Sequence, residues 1–217
     1  MKSTAYFFIL LVFFFATAAM ASGQAARSGV PITGIATMFA RDPLTQSLCI
    51  RDGGPGSVFQ DGQLRNRCSD LNFDSYSANQ FSVGVEGGRQ GVIIDLGTPQ
   101  ELKGKYGYSE TVGTGQGFAS IDVRNRKALI LKDYKSGQLQ EMGESGQLFR
   151  EPSNNYSSIP VRLGHVYLLR ITDRHDKAYE MLAKLIVIAH VPGESVTVRW
   201  QLISSNETAK LRSEWKK

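Results

Sequence analysis

From residue 32 onward, short apolar or alternating runs are separated by Gly, Pro, Asn and Asp, the pattern of many strands joined by turns. Nine segments carry it: 32–40, 47–51, 80–86, 91–96, 118–123, 128–133, 166–173, 179–191 and 195–203. The last three read as a meander, HVYLLRITD, AYEMLAKLIVIAHV and SVTVRWQLI, joined by the turns DRHDK and Pro192-Gly193-Glu194. In the final run Val196, Val198, Trp200 and Leu202 share one face and Thr197, Arg199 and Gln201 the other, so one side is buried and the other wet. Met181, Leu182, Leu185 and Ile186 also fall at helical spacing, but the β-branched content of 185–191 and the tight turn after it favour a strand. Gly87-Gly88, between 80–86 and 91–96, marks a hairpin. The expected fold is mainly β: an antiparallel β-sandwich or open barrel ending in a three-stranded meander.

One helix is signalled. Thr98-Pro99-Gln100-Glu101 is a capping box with proline at the first helical position, opening a short helix over about 99–105 that Gly107 ends. No internal repeat or low-complexity block divides the chain, so residues 22–217 are expected to form a single β-rich domain. The polar stretch 136–158 is expected to be its least ordered part, and 204–217 a polar, basic tail.

The first 21 residues follow another pattern. Residues 5–21, AYFFILLVFFFATAAMA, are uncharged, stand behind Lys2 and close on Ala19-Met20-Ala21, the small-x-small pattern that signal peptidase cuts. Residues 1–21 are therefore expected to be a signal peptide. The alternative is an uncut anchor, because residues 5–23 are just long enough to span a thin bilayer as a helix. No later segment is apolar enough to span, so no stable membrane insertion is expected after cleavage, and the location is secreted or periplasmic.

Removing Lys2 lowers the formal charge from +5 to +4, a weak basic bias scattered except at Arg124-Asn125-Arg126-Lys127 and the tail. That distribution gives no Lys/Arg stripe and no nucleic-acid motif, so no nucleic-acid partner is expected. Cys49 and Cys68 are the only cysteines, and in an oxidising compartment they are expected to form a structural disulfide across a turn-rich loop. Closing that loop constrains the unfolded chain by about 3 kcal/mol in the entropy model.

Candidate chemistry is sparse. Asp70, Asn72 and Asp74 stand at positions one, three and five of a calcium loop, but Ser75 replaces the turn glycine and Phe81 the bidentate glutamate. They are weak metal candidates, and Leu71 and Phe73 make the stretch read as an edge strand. The glycine-rich run Thr111 to Gly117 is neither a dinucleotide fingerprint nor a Walker loop, and it leads into a strand rather than a helix. His165 and His190 are placed to approach at one end of the meander with His175 at the other, leaving a zinc site without its third ligand. No nucleophile motif of a hydrolase is present, and no cofactor is expected.

The segment GVIIDLG, residues 91–97, resembles a strand of discoidin-like and galactose-binding-like sandwiches. The resemblance covers seven residues, and the capped helix after it departs from that pattern, so no family is assigned. The sequons at Asn155 and Asn206 would be glycosylated only in a eukaryotic secretory route. The expected function is an exported β-sandwich module with a non-enzymatic binding or structural role toward a protein or glycan partner. The alternative is an extracytoplasmic hydrolase acting on envelope or extracellular polymers, with catalytic residues that sequence alone does not assign.

Overall fold

The computed structural model describes residues 33–51, 53–56, 59–60, 63–64, 69–74, 78–84, 88–108, 119–133 and 135–206. Their elements run in the order β1 (Thr33–Phe39), β2 (Ser47–Cys49), β3 (Gly54–Pro55), β4 (Phe59–Gln60), β5 (Gln63–Leu64), β6 (Leu71–Phe73), β7 (Gln80–Val83), β8 (Arg89–Gly97), α1 (Pro99–Tyr106), β9 (Ile121–Arg124), β10 (Lys127–Asp133), β11 (Gln138–Glu141), α2 (Ser145–Leu148), β12 (Ser158–Pro160), β13 (Val166–Asp173), β14 (Glu180–Val191) and β15 (Ser195–Ser205). The expected signal segment 1–21, Cys68, the glycine-rich run and the far end of the tail lie outside the described residues.

Three antiparallel sheets stack in layers. The middle one has the order β1-β15-β14-β13-β8, and an outer one the order β12-β7-β6-β2-β3. The third, β11-β10-β9, covers the opposite face of the middle sheet together with α1 and α2, and β4 and β5 form a small separate hairpin. Two cores result. Tyr167, Leu169, Leu185, Val198 and Trp200 of the middle sheet pack on Leu48, Leu71, Phe73 and Phe81 of the β2–β6–β7 layer. Val92, Ile94, Val166, Leu168 and Leu182 pack the other way, on Leu102, Tyr106, Ile130, Leu148 and Phe149.

That layering explains the sequence texture. Strand β13 is buried at every position from Val166 to Ile171 because both of its faces are covered, and it reads as a near-continuous apolar run. Along β1 and the first half of β15 the burial alternates; from Gln201, which is buried, the alternation stops, and Ile203 packs on the second core. Val196, Val198 and Trp200 are buried as the alternation predicts, with Leu202 packed beside them. The meander β13–β14–β15 is present as expected, and the segment with helical spacing is strand. A register shift between Val187 and Ala189 leaves Ile188 exposed.

Helix α1 carries the expected capping box. Thr98 Oγ1 accepts from Glu101 N at 3.2 Å, Glu101 Oε2 accepts from Thr98 N at 2.7 Å, and Gly107 closes the helix in the left-handed conformation. Among the described residues no helix is long and apolar enough to cross a membrane.

Three expectations need correction. Strands β7 and β8, on either side of Gly87-Gly88, are not a hairpin: they belong to different sheets, and the chain crosses between layers there. An added Cβ on Gly84 would collide with the Gly91 main chain, so the crossing brings two backbones into contact that only glycines permit. The stretch 136–158 is not the least regular: it contains β11, α2 and the start of β12. Its order comes from tertiary clips, with Val83 N donating to Ser157 O at 2.8 Å and Ile93 N to Tyr156 O at 2.9 Å, so that one turn ties two layers together. Finally, β15 runs to Ser205, into the segment expected to be tail.

Candidate functional site

The three oxygen-bearing residues of the calcium-like run are each engaged in the fold. Asp70 is buried, and its carboxylate accepts from Ile50 N at 2.8 Å and faces Arg51 Nε at 3.7 Å. Burial raises its pKa, opposed by the Arg51 charge, the Ile50 and Arg51 amides and Arg89. Asn72 Oδ1 accepts from Ser69 Oγ at 2.7 Å, and Asp74 Oδ1 accepts from Asn79 N at 2.5 Å. Leu71 and Phe73 between them are buried in strand β6. Alternation in a strand sends 70, 72 and 74 to one side, but each takes a separate local partner instead of converging.

The histidines take three different environments. His165 Nδ1 lies 2.9 and 3.0 Å from the two Asp95 oxygens. Asp95 also accepts from Gly97 N at 2.8 Å and faces Arg162 Nη1 at 3.5 Å. His190 Nε2 lies 2.8 Å from Asn79 Oδ1, which also accepts from Gly193 N, so the ring nitrogen is the donor. His175 sits in the DRHDK turn, where Asp173 Oδ1 accepts from the His175 and Asp176 amides at 2.8 and 3.2 Å. Among the described residues no group of three His, Cys, Asp or Glu side chains is placed to hold a metal ion. Cys49 is fully buried at the end of β2. Arg124-Asn125-Arg126-Lys127 forms the β9–β10 turn, with Asn125 and Arg126 both at positive φ.

A partly buried charge cluster escaped the sequence reading because its members are distant in the chain. Arg89 Nε lies 3.1 Å from Asp173 Oδ2, and the Arg89 guanidinium is 3.6 Å from the Tyr179 ring centroid, with that of Arg51 at 5.8 Å. Burial pushes the Tyr179 phenol up. Two arginines, two aspartates and one aromatic face neutralise each other here, which is an arrangement for holding β8, β13 and β14 against the loop after β2.

A concave surface lies elsewhere. A cleft of about 340 Å³ opens between β8, α2 and the turn into β12, lined by Asp95, Gln147, Arg150, Asn155, Tyr156 and Ser158 among others. The Arg150 guanidinium stacks 4.1 Å from the centroid of the exposed Tyr156 ring, and Arg150 Nε donates to Gln147 O at 2.9 Å. The wall therefore combines a carboxylate, a guanidinium, two primary amides, a hydroxyl and an aromatic edge beside the β8 segment Val92–Ile94. Such a set both donates and accepts hydrogen bonds from several directions. The sequence reading missed it because five of the six residues just named lie in 136–158. The available signal was the apolar pair Leu148-Phe149 next to Arg150, which marks a segment that packs rather than floats. Compared with known proteins, the chain matches no family model, no curated protein and no solved structure.

Proposed function

We propose that the protein is an exported, non-enzymatic binding module that takes a glycan segment in the cleft between β8, α2 and the turn into β12. The observation that carries this reading is the Arg150–Tyr156 stack at the cleft, 4.1 Å from guanidinium to ring, surrounded by Asn155, Gln147, Asp95 and Ser158. Amides and carboxylates suit the paired hydroxyls of a sugar ring, and an aromatic edge suits its C–H face. The cleft volume is at the small end of ligand sites, adequate for one or two sugar units. Export rests on the apolar 5–21 run and its Ala19-Met20-Ala21 end, and goes with a Cys49–Cys68 disulfide in an oxidising compartment.

The test is calorimetric titration with neutral and acidic oligosaccharides. Arg150→Ala and Tyr156→Ala are each expected to weaken binding by about tenfold or more, the scale of an interface hot spot, with melting temperature preserved because Tyr156 is exposed and Arg150 half-exposed. Failure of every saccharide class to bind, or binding untouched by both substitutions, would sink the proposal. N-terminal sequencing of the exported product is expected to begin at Ser22.

A second reading, a hydrolase of extracellular polymers, is favoured by one observation: His165 is oriented by Asp95, a residue that also lines the cleft. Turnover of a polymeric substrate that is lost in His165→Gln would put that reading first.

A further inference from the structure

The outer edge of β1 carries a separate interaction surface. Strand β1 ends the middle sheet, paired with β15 on one side and with no strand on the other among the described residues. Its direction of hydrogen bonding follows from register. Ala40 N donates to Glu194 O at 2.7 Å, in line with the Phe39–Ser195 pair, so Gly34, Ala36 and Met38 exchange bonds with β15. The main-chain groups of Thr33, Ile35, Thr37 and Phe39 then point outward; those of Phe39 are taken by its own chain, its N donating to Thr45 O and its O accepting from Asp42 N, both at 3.4 Å, so the open stretch is Thr33 to Thr37.

Edges of this kind are normally blunted by lysine, proline, a bulge or a covering loop. Strand β1, TGIATMF, has neither charge nor proline, and its register with β15 is unbroken over seven residues. Beside it a groove of about 230 Å³ runs between β1 and the β2–β3 end of the neighbouring layer, lined by Met38, Leu48 and Pro55 among others. Among the described residues the space next to Ile35 and Thr37 is therefore open, and Ile35 and Phe39 are 60% and 44% exposed on the outward face.

We propose that this edge pairs with the same edge of a second copy, β1 against β1 and antiparallel, to give a dimer with one continuous ten-stranded middle sheet. Main-chain donors and acceptors alternating along an open strand are complementary to another strand, and the same edge meets itself about a twofold axis. Centring the pair on Ile35 sets Ile35 opposite its own copy, apolar on apolar, and Thr33 opposite Thr37 of the other chain, and leaves the Phe39 main chain on its own Thr45 and Asp42. No residue from Thr33 to Ala40 is charged, so no like charges oppose one another within the pairing. Because only this edge is used, the assembly closes at two copies. The inference is independent of the cleft and of its ligand.

Sedimentation equilibrium of the purified protein across the micromolar range tests it. The wild type is expected at twice the monomer mass, and Ile35→Lys and Thr37→Lys at the monomer mass. Ile188→Lys, an exposed change on the third strand from the edge, is expected to leave the dimer intact. Amide exchange at Ile35 and Thr37 in the wild type is expected to slow as concentration rises, a readout that needs no variant. A wild type that stays monomeric, edge variants that remain dimeric, or exchange at those two amides that ignores concentration would overturn the proposal.

Discussion

Trp200 lies across Gly34, its cross-strand partner in β1: a Cβ built on Gly34 would stand 2.8 Å from the indole ring. The indole is 1% exposed and extends toward Gly53 on the other side, where a Cβ would stand 3.5 Å away. Glycine in a strand weakens it locally, yet here it makes room for the largest side chain in the core between the two main layers. Trp200→Ala should therefore cost about 3 to 5 kcal/mol and Gly34→Ala about 1 to 3 kcal/mol through overpacking, whereas Arg199→Ala on the opposite face should cost less than either. Urea denaturation of the three variants checks the order. An Arg199→Ala loss larger than that of Trp200→Ala would contradict the assignment of faces.

His190 links stability to mild acid. Burial lowers its pKa below the ordinary 6.5, and its Nε2 donates to Asn79 Oδ1 while the ring meets Phe73 edge-on at 6.1 Å. The unfolded chain takes up this proton at higher pH than the native one. The stabilisation is therefore fully present above pH 6.5 and is lost progressively as pH falls from there through the native value. His190→Gln keeps a donor but does not titrate, and should flatten the stability curve in that window. Melting temperature against pH for the two proteins measures it, and parallel curves would remove His190 from the account.

Where a fold feature was legible in the sequence, the signal was local. Strand β13 occupies the segment expected for it, Val166–Asp173, because a run buried on both faces needs only its own apolar residues to be seen. Helix α1 was legible because Thr98, Pro99, Glu101 and Gly107 write both of its ends within ten residues. The four-residue α2 and three-residue β12 were not, since their order comes from distant groups: Arg170 Nη1 reaches Arg150 O at 3.3 Å, and β12 is held by β7. The polar clusters were illegible for the same reason. Arg89 and Tyr179 are separated by 90 positions, and only the β8–β13–β14 order brings them together. Asp95 and His165 likewise meet through strand order, 70 positions apart.

The capping box at α1 supports a second stability test. Thr98 supplies the oxygen for Glu101 N, and Glu101 returns to Thr98 N, so Thr98→Ala removes one acceptor and leaves an amide of the first turn without it. The expected loss is about 1 kcal/mol. Thr98→Ser retains the oxygen and should recover most of it. Equal losses for alanine and serine in chemical denaturation would mean that the methyl group, not the cap, carries the effect.

The remaining prediction concerns Cys49, buried at the end of β2 where the chain leaves the core for the loop that returns at Ser69 and Asp70. Asp70 closes that excursion noncovalently, its carboxylate accepting from Ile50 N at 2.8 Å immediately after Cys49. A Cys49–Cys68 bond would fasten the same two chain segments covalently, and the loop between them has 18 residues, for which the entropy model gives about 3 kcal/mol. Intact mass after alkylation, with and without prior reduction, is expected to show two alkyl groups only in the reduced sample. Reduction should also lower the denaturation midpoint in Asp70→Asn, because that variant weakens the noncovalent closure while the disulfide still fastens the loop. Two thiols that alkylate without reductant in the exported protein would end the disulfide proposal and leave the loop fastened noncovalently, by Asp70 and by the β2–β3 pairing.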